Sequence, residues 1–303
     1  MNMTAIRSDR IYRSMMSAAP EEKDNLYRDE LMGPFAFKWA CVGAPLRAEN
    51  AGGYDVVSAA AMSGYYTPAQ ITRERETEIG KISDDAFWAS CESSIRNTLE
   101  GFEQHGITLP KQEYVFTVLL SDPQSPMTVM AGDYCGDGGI PGYIIGSIVP
   151  SERSLALLPV VLAHETNHNV RWQFMQWSNQ ITLADMIVSE GLAETFAASM
   201  FGEDKVGRWV RETSPQTLRD VVKPLIRDHL GTSDFAALSS YLYGDAIMAL
   251  RGGQPIGMPY CGGYACGYAL IGHYLRKTGA SIYEATVTPT GEILKKTEDF
   301  WAC

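Results

Sequence analysis

The chain has 303 residues, 45% apolar and 20% charged, which is enough to bury a substantial core and too apolar for a disordered protein. Its 25 basic and 36 acidic residues leave a net charge of −11, and no lysine–arginine cluster interrupts that acidity. Nucleic acid and polyanionic membrane surfaces are therefore poor partners. No apolar run reaches the roughly 20 residues of a membrane span, and the first residues lack the apolar stretch of a signal peptide, so the chain reads as cytoplasmic. The six cysteines, Cys41, Cys91, Cys135, Cys261, Cys266 and Cys303, are scattered and read as reduced thiols. Cys261 and Cys266 stand five apart, not at the spacing of a zinc knuckle, and read as buried small side chains.

In chain order, residues 8–18 and 20–34 have helical periodicity. The second stretch opens on Pro20 and two acids and is expected to stop at Gly33-Pro34. Residues 84–106 make the clearest helix, with one apolar stripe of Trp88, Cys91, Ile95, Leu99 and Phe102 and a stop at Gly106. The period then shortens. Residues 113–122 are β-branched and aromatic and read as a strand, 131–142 as a glycine-rich loop, and 142–150 as a second strand. Either strand is a candidate to pair with an extended peptide. The glycine-rich loop lacks the pattern of a phosphate cradle. A helix is expected from Pro159 to about Phe174, then a loop near 178–180. A helix over 182–202 follows, opened by Thr182 and Asp185 as a capping box and closed by Gly202. A last helix is expected over 262–279.

The helix after Pro159 carries "AHETNHNVRW" (163–172). Residues four apart share a helix face, so His164 and His168 can grip one ion with two imidazoles. Glu165 lies about 100° round from His164, placed to take a proton from water that the ion polarises. The composition predicts roughly 0.005 such motifs by chance. A catalytic zinc needs a third protein ligand. The next helix offers Glu190 and Glu194 on one face, flanked by the small Gly191 and Ala193. One carboxylate can bind the ion while the other accepts a hydrogen bond from a ligand histidine. In the last helix Tyr264 and Tyr268 share a face, and His273 points the other way. His105, just before Gly106, and His229, two before Gly231, read as helix-terminal residues that suit the dipole.

The HExxH followed by "EGLAE" resembles the gluzincin metallopeptidases. More closely, "HETNHNVR", "SEGLAE", the distal "GYACGY" and the early "PEEKDNLYRDELMGPFAFKW" resemble a bacterial family of predicted zinc-dependent proteases, found in bacilli among others. The likeness covers most of the chain. Ser189 precedes Glu190 where gluzincins usually carry Asn. The resemblance implies a Zn2+ peptidase with His164, His168 and Glu190 as ligands and Glu165 as the catalytic base. It further implies Glu194 behind a ligand histidine, and Tyr264, or next Tyr268, as the donor to the developing oxyanion.

The expected fold is therefore α+β and mainly helical: a small sheet beside the HExxH helix, a helical C-terminal half and a zincin-like cleft. Residues 1–112 read as a helical N-terminal region and 113–303 as the metallopeptidase domain. A peptide or protein is the expected substrate, with no nucleic acid or membrane partner, and nothing in the sequence fixes an oligomeric state. The alternative is a metal-binding protein on the same fold that is not a peptidase, whether a regulatory protein or another zinc hydrolase.

Overall fold

The computed structural model describes residues 1–50, 52–175 and 180–302. The fold is α+β and mainly helical, with one four-stranded mixed sheet. It divides into two compact units, one of residues 1–97 and 110–165, the other of 98–109 and 166–303. The loop expected near 178–180 lies mostly outside the described residues.

The first unit is built on the sheet. Its strands are β1 (Asn2–Ala5), β2 (Glu113–Leu120), β3 (Tyr134–Asp137) and β4 (Tyr143–Ile148), in the order β1-β2-β4-β3. β1, β2 and β4 are parallel, and β3 is antiparallel to β4. The long apolar runs of β2 and β4 are what interior parallel strands need, and Phe116, Val118, Leu120, Ile144, Ile145 and Ile148 are all buried. Two expectations change here. β2 and β4 are both interior, so the edge strands are β1 and β3. Part of the glycine-rich stretch is itself the strand β3, a four-residue segment that pairs along β4 and buries only Tyr134. β1 is held from a distance: the Thr117 hydroxyl donates to the Ile6 carbonyl at 2.8 Å, and the Ser8 hydroxyl donates to the Val118 carbonyl.

Helix α1 (Ser8–Ser17) matches its periodicity, with Tyr12 and Met15 buried. The next helical stretch does not stop at Gly33-Pro34. It widens into π turns over Leu26–Met32, tightens to a 3-10 turn over Gly33–Phe35 and goes on as a helix to Cys41. Pro34 falls in the first turn of the new segment, where its missing N–H costs no intrahelical bond. Helix α2 (Asp85–Gln104) buries the whole predicted stripe from Trp88 to Phe102.

Helix α3 (Glu152–Phe174) starts seven residues before Pro159 and carries that proline inside it. The signal is a reciprocal cap: Ser151 and Ser154 exchange backbone N–H to hydroxyl bonds of 2.9 and 3.1 Å. The Pro159 carbonyl accepts the Ser94 hydroxyl of α2 at 2.6 Å. From Val161 to Trp172 α3 is buried all round.

The second unit is helical. Helix α4 (Leu183–Phe201) opens on the expected box, Thr182 N to Asp185 Oδ2 at 3.0 Å and Asp185 N to Thr182 Oγ1 at 3.2 Å. Helix α5 (Gly262–Thr278) ends at Gly279 in the left-handed region, φ 71°. Helix α6 (Ile282–Val287) places Tyr283 edge-on to Phe102 and Phe196, which stack on each other 5.4 Å apart. Among the described residues no helix is long and apolar enough to cross a membrane.

Candidate metal centre and active site

His164 and His168 stand one turn apart on α3, both buried. The residues between and beyond them anchor the helix. Asn167 Nδ2 donates to Thr286 Oγ1 at 2.8 Å. The buried Arg171 guanidinium donates to the Thr286 and Thr288 carbonyls and to Thr290 Oγ1, at 2.9, 3.1 and 2.9 Å. The part of "HETNHNVR" that is not HExxH is therefore a set of ties from α3 to α6 and the turn after it.

Glu190 is buried on α4. His168, His164 and Glu190 each present one ligand atom, and these atoms all lie within 4.8 Å of one another. His168 Nε2 is 3.2 Å from Glu190 Oε2. Donors arranged tetrahedrally at zinc bond lengths stand roughly 3.3–3.6 Å apart, so two imidazole nitrogens and a carboxylate oxygen at this spacing fit a zinc ion. The Nδ1 of His168 is engaged by the Ser189 hydroxyl at 2.9 Å, which turns Nε2 toward Glu190. Ser189, which the sequence marks only as a departure from the usual Asn, is thus the residue behind a candidate ligand.

Glu194 stands one turn further along α4. Its carboxylate accepts the Gly207 N–H at 2.5 Å and the Trp209 indole N–H at 3.0 Å. Of the two glutamates left open by spacing, Glu190 is the one grouped with the histidines.

Glu165 points to the β3 end of the sheet. Its Oε2 accepts the Gly138 N–H at 2.7 Å. The chain at Gly136 and Gly138 passes so close that a methyl on the first would strike the Glu165 side chain, and on the second the Glu165 carbonyl. Here glycine is required by close approach of backbone. The cluster Gly136-Asp-Gly-Gly139 carried that signal, and composition alone cannot say what approaches it.

The two tyrosines are half-buried on α5 and pack, with Trp209, against Ala198, Val206 and Val210. Tyr264 lies 6.1 Å from the Tyr243 ring, centroid to centroid. The Tyr268 hydroxyl donates to Glu203. The glycines of the same run have a clear role: Gly267 lies against the backbone of Ile187 and Gly191, so α5 meets α4 one residue from Glu190. Burial, helped by the charge of Glu190 and opposed by a hydrogen bond with Tyr260, pushes the Cys261 thiol up to about 12. The remaining histidines are structural. His105 and His229 hydrogen-bond the carbonyls four residues back, at 2.7 and 2.8 Å, and stack on Tyr283 and Tyr241. His273 Nε2 lies 3.2 Å from Asp299.

With this geometry in hand, comparison with known proteins is informative. Residues 87–295, most of the chain and all of the site, match the family model described as Predicted Zn-dependent protease (DUF2268). The chain belongs to that family. It is 30% identical over 292 residues to the uncharacterized protein YjfC of Bacillus subtilis (strain 168), covering 94% of this chain and 95% of the relative. It is 25% identical over 146 residues to the uncharacterized protein YjaZ of the same organism, covering 48% of this chain and 52% of that one. No solved structure matches.

Proposed function

We propose that this protein is a zinc-dependent peptidase of the gluzincin type, with His164, His168 and Glu190 holding Zn2+ and Glu165 as the general base. The observation that carries the reading is the buried two-histidine, one-carboxylate group with ligand atoms within 4.8 Å, next in sequence to a further buried carboxylate. A protein that merely stores a metal has no need of Glu165.

A zinc ion bound there would act as a Lewis acid toward water and toward a peptide carbonyl. Glu165 would take the proton of the attacking water and return it to the leaving amine. The Gly138 N–H donates to Glu165 Oε2 and so orients the side chain. Ser189 holds the His168 ring so that Nε2 serves as ligand. Tyr264, and next Tyr268, remain the candidates to donate to the carbonyl oxygen as it gains charge. An extended peptide or protein segment is the expected substrate, with the edge strand β3 as its candidate pairing partner. We place the protein in the cytoplasm, with neither nucleic acid nor membrane as partner.

The test is zinc per chain and turnover of a peptide library for wild type and Glu165→Gln. One zinc in both, with turnover about 10²–10⁴-fold lower in the variant, is the expected result. No stoichiometric metal in wild type would overturn the reading. Zinc without turnover on any peptide would favour a metal-binding protein or a hydrolase of other bonds.

A further inference from the structure

Lys38 is an unusual residue for its place. It lies on the short helix Ala36–Cys41, its side chain is 1% exposed, and its ammonium sits 4.5 Å from the Trp39 ring centroid. A buried ammonium is strongly unfavourable unless it is paired. The pairing is with Asp137: Lys38 Nζ to Asp137 Oδ2, 2.5 Å. Asp137 is the last residue of β3, and its other oxygen accepts the Gly139 N–H at 3.3 Å. Between them stands Gly138, whose N–H donates to Glu165. Ladder pairing of β3 ends at Asp137 opposite Ile145, and two glycines follow, the residues least able to hold a conformation by themselves.

We propose that Lys38 is a positioning residue for Glu165. Its ion pair clamps the Asp137–Gly139 turn, and the clamped turn keeps the Gly138 amide on the Glu165 carboxylate. The catalytic part of this statement rests on the peptidase reading; the clamp itself does not. Lys38 is 127 residues from Glu165 in sequence and touches it through Asp137 and Gly138, so no motif connects them.

The test uses the full-length, zinc-supplied protein as wild type, Lys38→Met, Lys38→Arg and Asp137→Asn. Hydrogen exchange in peptides covering 134–142 reads the turn directly, whatever the protein cleaves. Exchange there should rise about tenfold or more in Lys38→Met and Asp137→Asn, and return toward wild type in Lys38→Arg. On a peptide that wild type cleaves, kcat should fall about 10–100-fold with KM within twofold and zinc per chain unchanged, again recovered by Lys38→Arg. Unchanged exchange in both Lys38→Met and Asp137→Asn overturns the proposal, even if activity falls. Raised exchange with undiminished kcat overturns the positioning role. If Lys38→Met does not fold, Asp137→Asn, at a side chain 40% exposed, breaks the same link and decides alone. A wild type that cleaves nothing defeats the peptidase reading, and the exchange data then judge the clamp separately.

Discussion

Glu165, Glu190 and Glu194 have three different sets of partners. Glu190 faces an imidazole nitrogen, Glu165 a backbone amide, and Glu194 two N–H groups of a neighbouring segment. Glu190→Ala should abolish stoichiometric zinc. Glu194→Ala should keep most of the zinc but lower stability by about 1–3 kcal/mol, because the buried Gly207 N–H and the half-buried Trp209 indole lose their acceptor. Ser189→Ala should weaken zinc binding about 10-fold while leaving the stoichiometry intact, through loss of the His168 orientation. Zinc per chain by elemental analysis, affinity by chelator competition and thermal melting separate the three. Equal zinc loss from Glu190→Ala and Glu194→Ala would defeat the assignment.

At the scale of elements, the distal "GYACGY" run matters for its glycine as well as its tyrosines. A methyl at Gly267 would overlap the Ile187 carbonyl and the Gly191 backbone, atoms that cannot rotate away. Gly267→Ala should therefore destabilise by about 1–3 kcal/mol or more in denaturant melts. Gly291→Ala, in a helix with open space around the added methyl, should instead stabilise by about 0.5–1 kcal/mol. The start of α4 sets a pH dependence. Burial alone would raise the Asp185 pKa, but hydrogen bonds from Thr182 and Thr290 and the charge of Arg171 outweigh it and hold the carboxyl below its ordinary 3.8. A carboxylate with a lowered folded pKa contributes its stability above the unfolded value, and that contribution is lost as pH falls below about 3.8. The melting-temperature gap between wild type and Asp185→Asn should thus be full at pH 7 and narrow below pH 4. A gap that widens in acid would refute the sign.

For the whole molecule, the cysteines report where the chain is closed. Cys41 and Cys135 are exposed, whereas Cys91, Cys261 and Cys266 are buried, and burial pushes each of these three thiols up to about 12. A neutral-pH alkylating agent should label Cys41 and Cys135 in the native protein, and Cys91, Cys261 and Cys266 only after unfolding. Native labelling of Cys266, on the α5 face beside Gly267, would mean that the helical unit opens readily. The two units each draw on separate stretches of chain. β1, from the first five residues, completes a sheet whose next strand begins at Glu113, and residues 98–109 join the helical unit through Phe102.

Local chemistry was legible without a fold. HExxH on a helix, the capping box at Thr182, the stripe of α2, the runs of β2 and β4 and the glycine stop of α5 each depend on residues within one or two turns of each other. That is why the mainly helical α+β class and the candidate pair His164 and His168 could be read directly. Four features needed the tertiary structure: the strand β1, the edge position of β3, the continuation past Gly33-Pro34 and the early start of α3. Propensity is weak over four residues, and a proline or glycine is tolerated when the turn around it is widened or capped. Partners were the least legible of all. Ser189 behind His168, Gly138 on Glu165, and Lys38 behind Asp137 join residues up to 99 positions apart. Such contacts are set by which backbones pack closely enough to touch, a property of the folded chain and not of any segment of it.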